Sequence, residues 1–394
     1  MDKIQETLTR GVANIIPGKE ELEKILRSGK KLNVYLGIDP TATKIHLGHA
    51  IPLRKLQAFA ELGHNVIFLI GDFTALIGDT SDKDSERPSL TSEQIEQNFK
   101  DYKKQAEKIL DFSKVQIKHN SQWLKNLSFT ETIRLTHHFS LGDFISRELI
   151  KKRLTEGKKV GLHEVLYPVM QGYDSYIMDT DLQLGGTDQT FNMQAGRTLQ
   201  KNLRNKESFV LSNIFLTGTD GLKMSKTGGN AIWLEDEPTD MYGKVMSIKD
   251  NLIIEYYILA TKTELSEVEK IKSRLSGGEN PMTVKKLLAF EITSELHGEN
   301  NAQQAQEYFE KTVQKQEIPE DLPVLNINAG DKLSVVDVLV NAKMVDSRSE
   351  AKRLIEQNGL EIDENIVKDI YFKPQKGEHN LRIGKRRFIK LFVN

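Results

Sequence analysis

The 394-residue chain contains no cysteine, which excludes disulfides and thiolate metal sites and fits a reducing, cytoplasmic setting. It has no long apolar run either. Nothing approaches the roughly 18 consecutive apolar residues of a membrane helix, so no membrane partner is expected. The opening MDKIQETLTRGVANII brings acids early, with no basic stretch ahead of an apolar core, and does not read as a signal peptide. Net charge is nearly absent as well, at -1. That balance conceals an uneven distribution. Residues 331–394 hold 13 basic and 10 acidic side chains, a +3 tail on a -4 remainder. Within it, Lys373, Lys376, Arg382, Lys385, Arg386, Arg387 and Lys390 face only Glu378. The strip reads either as a solvated face or as a surface for nucleic-acid phosphates.

What is present is an ordinary apolar fraction, 38%, in a chain long enough for two or three cores; three are expected. Up to residue 232 short apolar runs alternate with helical patterns. NVYLGID (33–39), NVIFLIGD (65–72) and SFVLSNIFL (208–216) read as strands. Ile95, Phe99, Tyr102, Ala106 and Ile109 recur at helical spacing behind a Thr91/Gln94 capping box. Such alternation predicts an α/β unit, Rossmann-like, whose parallel sheet is covered on both faces and binds ligands at strand carboxyl ends. Residues 120–165 read as a helical insertion, either a dimer surface or core. Residues 233–320 form a helical stretch, with 321–331 as a linker. Residues 332–394 read as a small α+β domain, in which Ser347 and Glu350 open a short helix closed by Asn358 and Gly359.

Two stretches carry chemistry. In NVYLGIDPTATKIHLGHA (33–50), His46 and His49 lie one helical turn apart around Gly48, just past a strand. A metal clip, a structural histidine pair and an anion grip at a helix start are the open readings. Pro52 then belongs in the first helical turn or kinks the helix. In GLKMSKTGGN (221–230), Lys223 and Lys226 occupy a glycine-flanked loop with Ser225 and Thr227, suited to closing over a polyphosphate. On helical spacing, Tyr167, Gln171 and Asp174 share one face.

HLGH after the first predicted strand, with KMSKT about 180 residues later, resembles the two signatures of class I aminoacyl-tRNA synthetases. YPVMQGYDSYIMDTDLQLGGTDQ (167–189), YLGIDPT (35–41) and GDFTALIGDTSDKDSER (71–87) narrow the likeness to the bacterial tyrosyl-tRNA synthetases over nearly the whole chain. The tail SRSEAKRLIEQNGLEID resembles a small RNA-binding module shared with a small-subunit ribosomal protein.

The resemblance implies residue roles. Tyr35 and Asp174 would contact the substrate phenol. Tyr167, Gln171 and Asp79 would hold its ammonium, and Thr74, Asn120 and Gln189 would support the amino acid and adenylate. Gly37, Asp39, Gly48, Gly186 and Asp188 would line the ATP site, the last two at the ribose. His46, His49, Lys223, Lys226 and Thr227 would stabilise phosphate, with Lys83 and Arg87 on a second closing loop. That loop departs from the family: TSDKD (80–84) stands where many relatives have a proline-serine-glycine turn. Arg348, Lys352, Arg353, Lys385, Arg386 and Arg387 would meet tRNA(Tyr). The implied partners are L-tyrosine, ATP with accompanying Mg2+, tRNA(Tyr) and a second subunit, with no protein-held metal. The related tryptophan enzyme and a non-catalytic RNA-binding protein on the same scaffold are the alternatives. Tyr35 and Asp174 argue against the first, and the intact His and Lys residues against the second.

Overall fold

In the computed structural model the described residues are 2–78, 90–315, 324–328, 333–342, 344–345, 347–384 and 387–394. By internal contacts the chain divides into one unit of residues 1–236 with 247–288, and another of 237–246 with 289–394.

The first unit is built on a six-stranded sheet: β1 (Val12–Ile16), β2 (Asn33–Ile38), β3 (Asn65–Ile70), β4 (Val115–His119), β5 (Leu182–Gly186) and β6 (Phe209–Asn213). The order is β1-β6-β5-β2-β3-β4, parallel except for β1, which runs antiparallel to β6. The expected parallel sheet is present, with one antiparallel strand added at its edge. From central β2 the chain first builds outward through β3 and β4, then returns to β5 and β6. The direction of build reverses between β2 and β5, which opens a crevice at their carboxyl ends. β3 is buried along nearly its whole length and β2 at Val34, Tyr35 and Leu36, as interior strands covered on both faces are.

Helix α1 (Leu47–Glu61) packs on β2, β3 and β5. Pro52 lies inside it, past the first turn, and having no N–H it leaves the Gly48 carbonyl without its i+4 donor. Helix α2 (Ser92–Ala106) starts at Thr91 with the expected capping box. Its fully buried Gln105 accepts the Ile45 N–H at 2.7 Å, which fixes the approach to α1. Helices α3 (Leu162–Ile177) and α4 (Thr190–Arg204) pack closely through glycines. A Cβ on Gly172 would sit 3.2 Å from the Ala195 backbone, and one on Gly196 would sit 2.8 Å from Ser175 Cβ.

The insertion is helical, with segments at Ser121–Leu124, Phe129–Thr136, Leu141–Ile145 and Glu148–Thr155. It is tied to α3 by a buried ion pair, Arg153 to Glu164 at 2.6 Å, with Glu164 also accepting the Gly161 N–H at 2.8 Å. Removing one partner strands the other charge. Glu164→Gln is expected to cost about 3 kcal/mol in denaturant unfolding, whereas exposed Glu156→Gln should change little.

Helices Ile253–Ala260 and Leu265–Ser276, expected in a separate helical part, belong to the first unit. The former buries Ile253, Tyr256, Tyr257, Leu259 and Ala260, apolar nearly all round, and contacts α1.

In the second unit, helix Pro238–Met246 packs on Glu299–Phe309, with the Tyr242 and Phe309 rings 5.6 Å apart. Its last part is a sheet of β7 (Val324–Ile327), β8 (Leu360–Ile362), β9 (Asn365–Ile366), β10 (Gly377–Ile383) and β11 (Arg387–Val393), ordered β7-β11-β10-β8-β9. Helices Val335–Asn341 and Arg348–Glu356 close a core of Val335, Leu339, Ala351, Ile355, Leu381 and Leu391. Residues 321–331, expected as a linker, thus contain a strand: β7 pairs parallel with β11. Ser347 caps its helix by accepting the Glu350 N–H. The stop is as expected in residue type. Asn358 takes the left-handed conformation (φ 57°), and the Gly359 N–H returns to the Leu354 carbonyl at 2.8 Å.

Candidate active site

β2 ends at Ile38, and after a turn at Asp39 and Pro40 the chain enters α1 with His46 as the residue before its first turn. This entry is bolted to the segment that follows the lysine loop. Leu47 N–H donates to Ile232 O and Leu234 N–H to Ile45 O, both at 2.9 Å, and His46 bridges to Trp233. The two signatures, distant in sequence, are therefore joined by backbone hydrogen bonds.

The His46 and His49 rings stack with centroids 3.7 Å apart. Gly48 permits this, since a Cβ there would lie 3.0 Å from the His46 ring. Burial, then the charges of Lys226 and Lys223, push His46 down to about 3. Burial, His46 and the same lysines hold His49 well below its ordinary value. Both are neutral at pH 7. The His46 N–H donates to His49 Nδ1 at 3.3 Å, which leaves the His49 proton on Nε2 as a hydrogen-bond donor.

Lys223, Lys226 and Thr227 are exposed on a loop held by a side chain that lies just outside KMSKT. Buried Asn230 donates to Asp220 Oδ1 at 2.9 Å and to Lys223 O at 3.1 Å, and accepts the Ser225 N–H at 3.0 Å. Lys223 Nζ lies 3.3 Å from the Phe215 ring centroid and 3.5 Å from Asp188 Oδ2. The loop is thus presented in a set shape rather than free. Asn230→Leu is expected to lower the rate of adenylate formation about tenfold through loss of these hydrogen bonds, at unchanged tyrosine KM, in stopped-flow measurements.

The crevice between β2 and β5 carries the other cluster. Tyr35, 2% exposed, donates to Gln183 Oε1 of the adjoining strand at 3.1 Å. Burial and the Asp174 charge push its phenol up, opposed by a hydrogen bond with Gln171. From α3, the Asp174 carboxylate accepts Trp123 Nε1–H at 2.7 Å and Asn120 Nδ2–H at 3.1 Å. Burial raises this carboxyl to about 8 against those two hydrogen bonds, and Asp39 and Asp72 add to the rise. Asn120 also donates to Thr74 Oγ1 at 3.0 Å. Asp39 receives Thr74 Oγ1–H at 2.8 Å and Tyr167 O–H at 2.9 Å. A single chain of hydrogen bonds therefore links Tyr167, Asp39, Thr74, Asn120, Asp174 and Trp123. Gly71 leaves room for it, since a Cβ there would lie 2.0 Å from Asp39 Oδ1.

At the end of β5, a Cβ on Gly186 would meet Asp188 Oδ1 at 2.6 Å and the Phe215 ring at 3.2 Å. Gln189 accepts Asn192 Nδ2–H at 3.1 Å, and Gly37 is exposed at the end of β2. Arg348, Lys352 and Arg353 are exposed on their helix, where Arg348 pairs with Asp337. Asp79, Lys83, Arg87, Lys385 and Arg386 lie outside the described residues, and Arg387 is placed only by its backbone in β11. Gln183, Trp123 and Asn230 were missed from sequence. Gln183 had one usable signal: it is polar inside the buried run LQLGG.

The family model described as "tRNA synthetases class I (W and Y)" matches residues 27–314, the span that holds the sheet, the histidines and the lysine loop, and this sets the class. An "S4 domain" model matches residues 335–380. The chain is 43% identical to the tyrosine–tRNA ligase of Thermotoga maritima, over 98% of this chain and 96% of that one. It is 42% identical to that of Photobacterium profundum, over 99% of each. A C-terminally truncated mitochondrial tyrosyl-tRNA synthetase from Coccidioides posadasii shares the fold with TM-score 0.65 and 22% identity, covering 78% of this chain and 91% of that one. The chain belongs to the tyrosine–tRNA ligases, enzymes that use ATP to join tyrosine to tRNA.

Proposed function

We propose that tyrosine lies in the crevice between β2 and β5 with its phenol against Tyr35 and Asp174, and ATP over the start of α1. The observation that carries this reading is the Asp174 carboxylate, fixed beside Tyr35 by Trp123 and Asn120. The ionised tyrosine carboxylate attacks the α-phosphorus of ATP, and pyrophosphate leaves. A ribose hydroxyl at the tRNA 3′ end then attacks the adenylate carbonyl, and AMP leaves. No enzyme nucleophile is needed. Neutral His46 and His49 donate hydrogen bonds and Lys223 and Lys226 supply charge as the pyrophosphate develops its own, so catalysis is alignment and electrostatics. Gly186 and Asp188 face the ribose, Tyr167 and Gln171 the ammonium, and Gln189 the adenylate.

Mg2+ enters with ATP in this reading. Among the described residues no group of three or more His, Asp or Glu is placed to hold a metal ion, and the side chains at the phosphate end are imidazoles and ammoniums. Cytoplasmic location and a homodimer complete the proposal. Phe129, Leu141 and Leu162, within residues 120–165, are exposed at 81%, 65% and 71% and are the apolar side chains that a second subunit would cover in this reading. Light scattering is expected to give twice the monomer mass at micromolar concentration; a monomer there would sink the dimer.

The test of the reaction is amino-acid-dependent pyrophosphate exchange with ATP. Exchange with tyrosine, far weaker exchange with phenylalanine and none with tryptophan is the expected result; exchange with tryptophan would move the substrate to the sister enzyme.

A further inference from the structure

Along α1 beyond the histidines, a second cavity of about 280 Å3 opens between the N-terminal segment, α1 and the chain at 258–262. Its apolar lining includes Ile51, Ala58, Ile109 and Leu259, and five cationic side chains there face two acids, Glu6 and Glu61. Lys55 is the group that needs explaining. It is 5% exposed, and its ammonium donates to Thr7 O at 2.5 Å and Arg10 O at 2.7 Å. Two carbonyls thus take two of its three protons. Among the described residues no carboxylate forms an ion pair with it. Burial and neighbouring Arg10 push it down to about 7, with Glu6 opposing at longer range. A buried ammonium without a counter-ion is costly, and an anion in the cavity would relieve that cost.

We propose that this cavity is a binding site, separate from the reaction centre, for a small carboxylate with a compact apolar body. The carboxylate meets Lys55, and the body lies against Ile51, Ala58 and Leu259. The lining selects this class. A phosphate would press extra charged oxygens on apolar carbons, and a neutral apolar molecule would leave the buried ammonium as it is.

The test is calorimetric titration of the full chain, with L-tyrosine saturating the reaction site, using phenylacetate as probe and phenylacetamide as its neutral match. Phenylacetate is expected to bind, and phenylacetamide at least tenfold more weakly. Lys55→Met should weaken phenylacetate at least tenfold. Because that change also cuts two bonds to the N-terminal segment, Ala58→Trp, which keeps Lys55 and fills the cavity, serves as the second variant and should abolish binding. No binding of phenylacetate, equal binding of the amide, binding that survives Ala58→Trp, or binding seen only when tyrosine is left out would each overturn the proposal.

Discussion

Asp174→Asn is expected to lower kcat/KM for tyrosine in pyrophosphate exchange about a hundredfold, and to leave the much smaller value for phenylalanine within a few fold. The carboxylate has two oxygens, one fed by Trp123 Nε1–H and the other by Asn120 Nδ2–H. An amide has only one oxygen, so its NH2 must face one of these donors in a buried site. Leaving a buried donor unpaired costs about 1–3 kcal/mol of fold stability whichever substrate is present, whereas the lost charge-assisted bond to the substrate phenol, about 1.5–3 kcal/mol, falls on tyrosine alone. About 2.7 kcal/mol, within that range, corresponds to a hundredfold. Phenylalanine has no hydroxyl to lose, so the ratio between the two substrates should collapse. Equal losses for both would show that Asp174 only supports the fold of the crevice.

The same carboxylate carries a pH dependence with a definite sign. Burial raises its pKa to about 8, so in the free enzyme it takes up a proton as pH falls through that value. The ionised form is the stronger acceptor for the phenol. kcat/KM for tyrosine should therefore fall with decreasing pH below about 8 and level off above it, and the profile for phenylalanine should lack this limb. A tyrosine profile flat from pH 6 to 8 would contradict the assignment.

How much of this was legible in the sequence depended on where each residue sits in the sheet. β2 and β3 are interior strands, so NVYLGI and NVIFLI read as continuous apolar runs. β1 and β4 are the two edges, VANII and VQIKH, where one side meets solvent and that pattern breaks up. The antiparallel β1 escaped for that reason. β7 was hidden similarly: VLNI alternates between exposed and half-buried positions beside two prolines, which reads as a linker. At the site, the linear motifs named the histidines and lysines because each signature lies within one turn or loop. Trp123 and Gln183 act through partners on other elements, at separations of 51 and 148 residues, which no local spacing encodes. Asn230 is the intermediate case, close to KMSKT in sequence but meaningful only once the loop folds back on it.

β7 also decides how the RNA-binding role should be tested. A cut at residue 331 would leave Val324–Ile327 without β11 and expose an unpaired strand edge, confusing loss of RNA contact with aggregation. Removing residues 324–394 takes the whole sheet. This truncation is expected to keep pyrophosphate exchange within about twofold, because every described residue of the candidate active site lies in the first unit. Aminoacylation, by contrast, should lose about a thousandfold in kcat/KM for tRNA. The module presents Arg348, Lys352 and Arg353 exposed on one short helix, inside a tail with more bases than acids. Several phosphate contacts of that kind supply a large, salt-dependent share of RNA affinity. The full-length enzyme should accordingly lose aminoacylation steeply with added salt while exchange declines little, and the truncated chain should show a shallower salt slope. Equal losses in both steps on truncation would mean that the module supports the catalytic unit itself, and would remove the assignment of Arg348, Lys352 and Arg353 to tRNA.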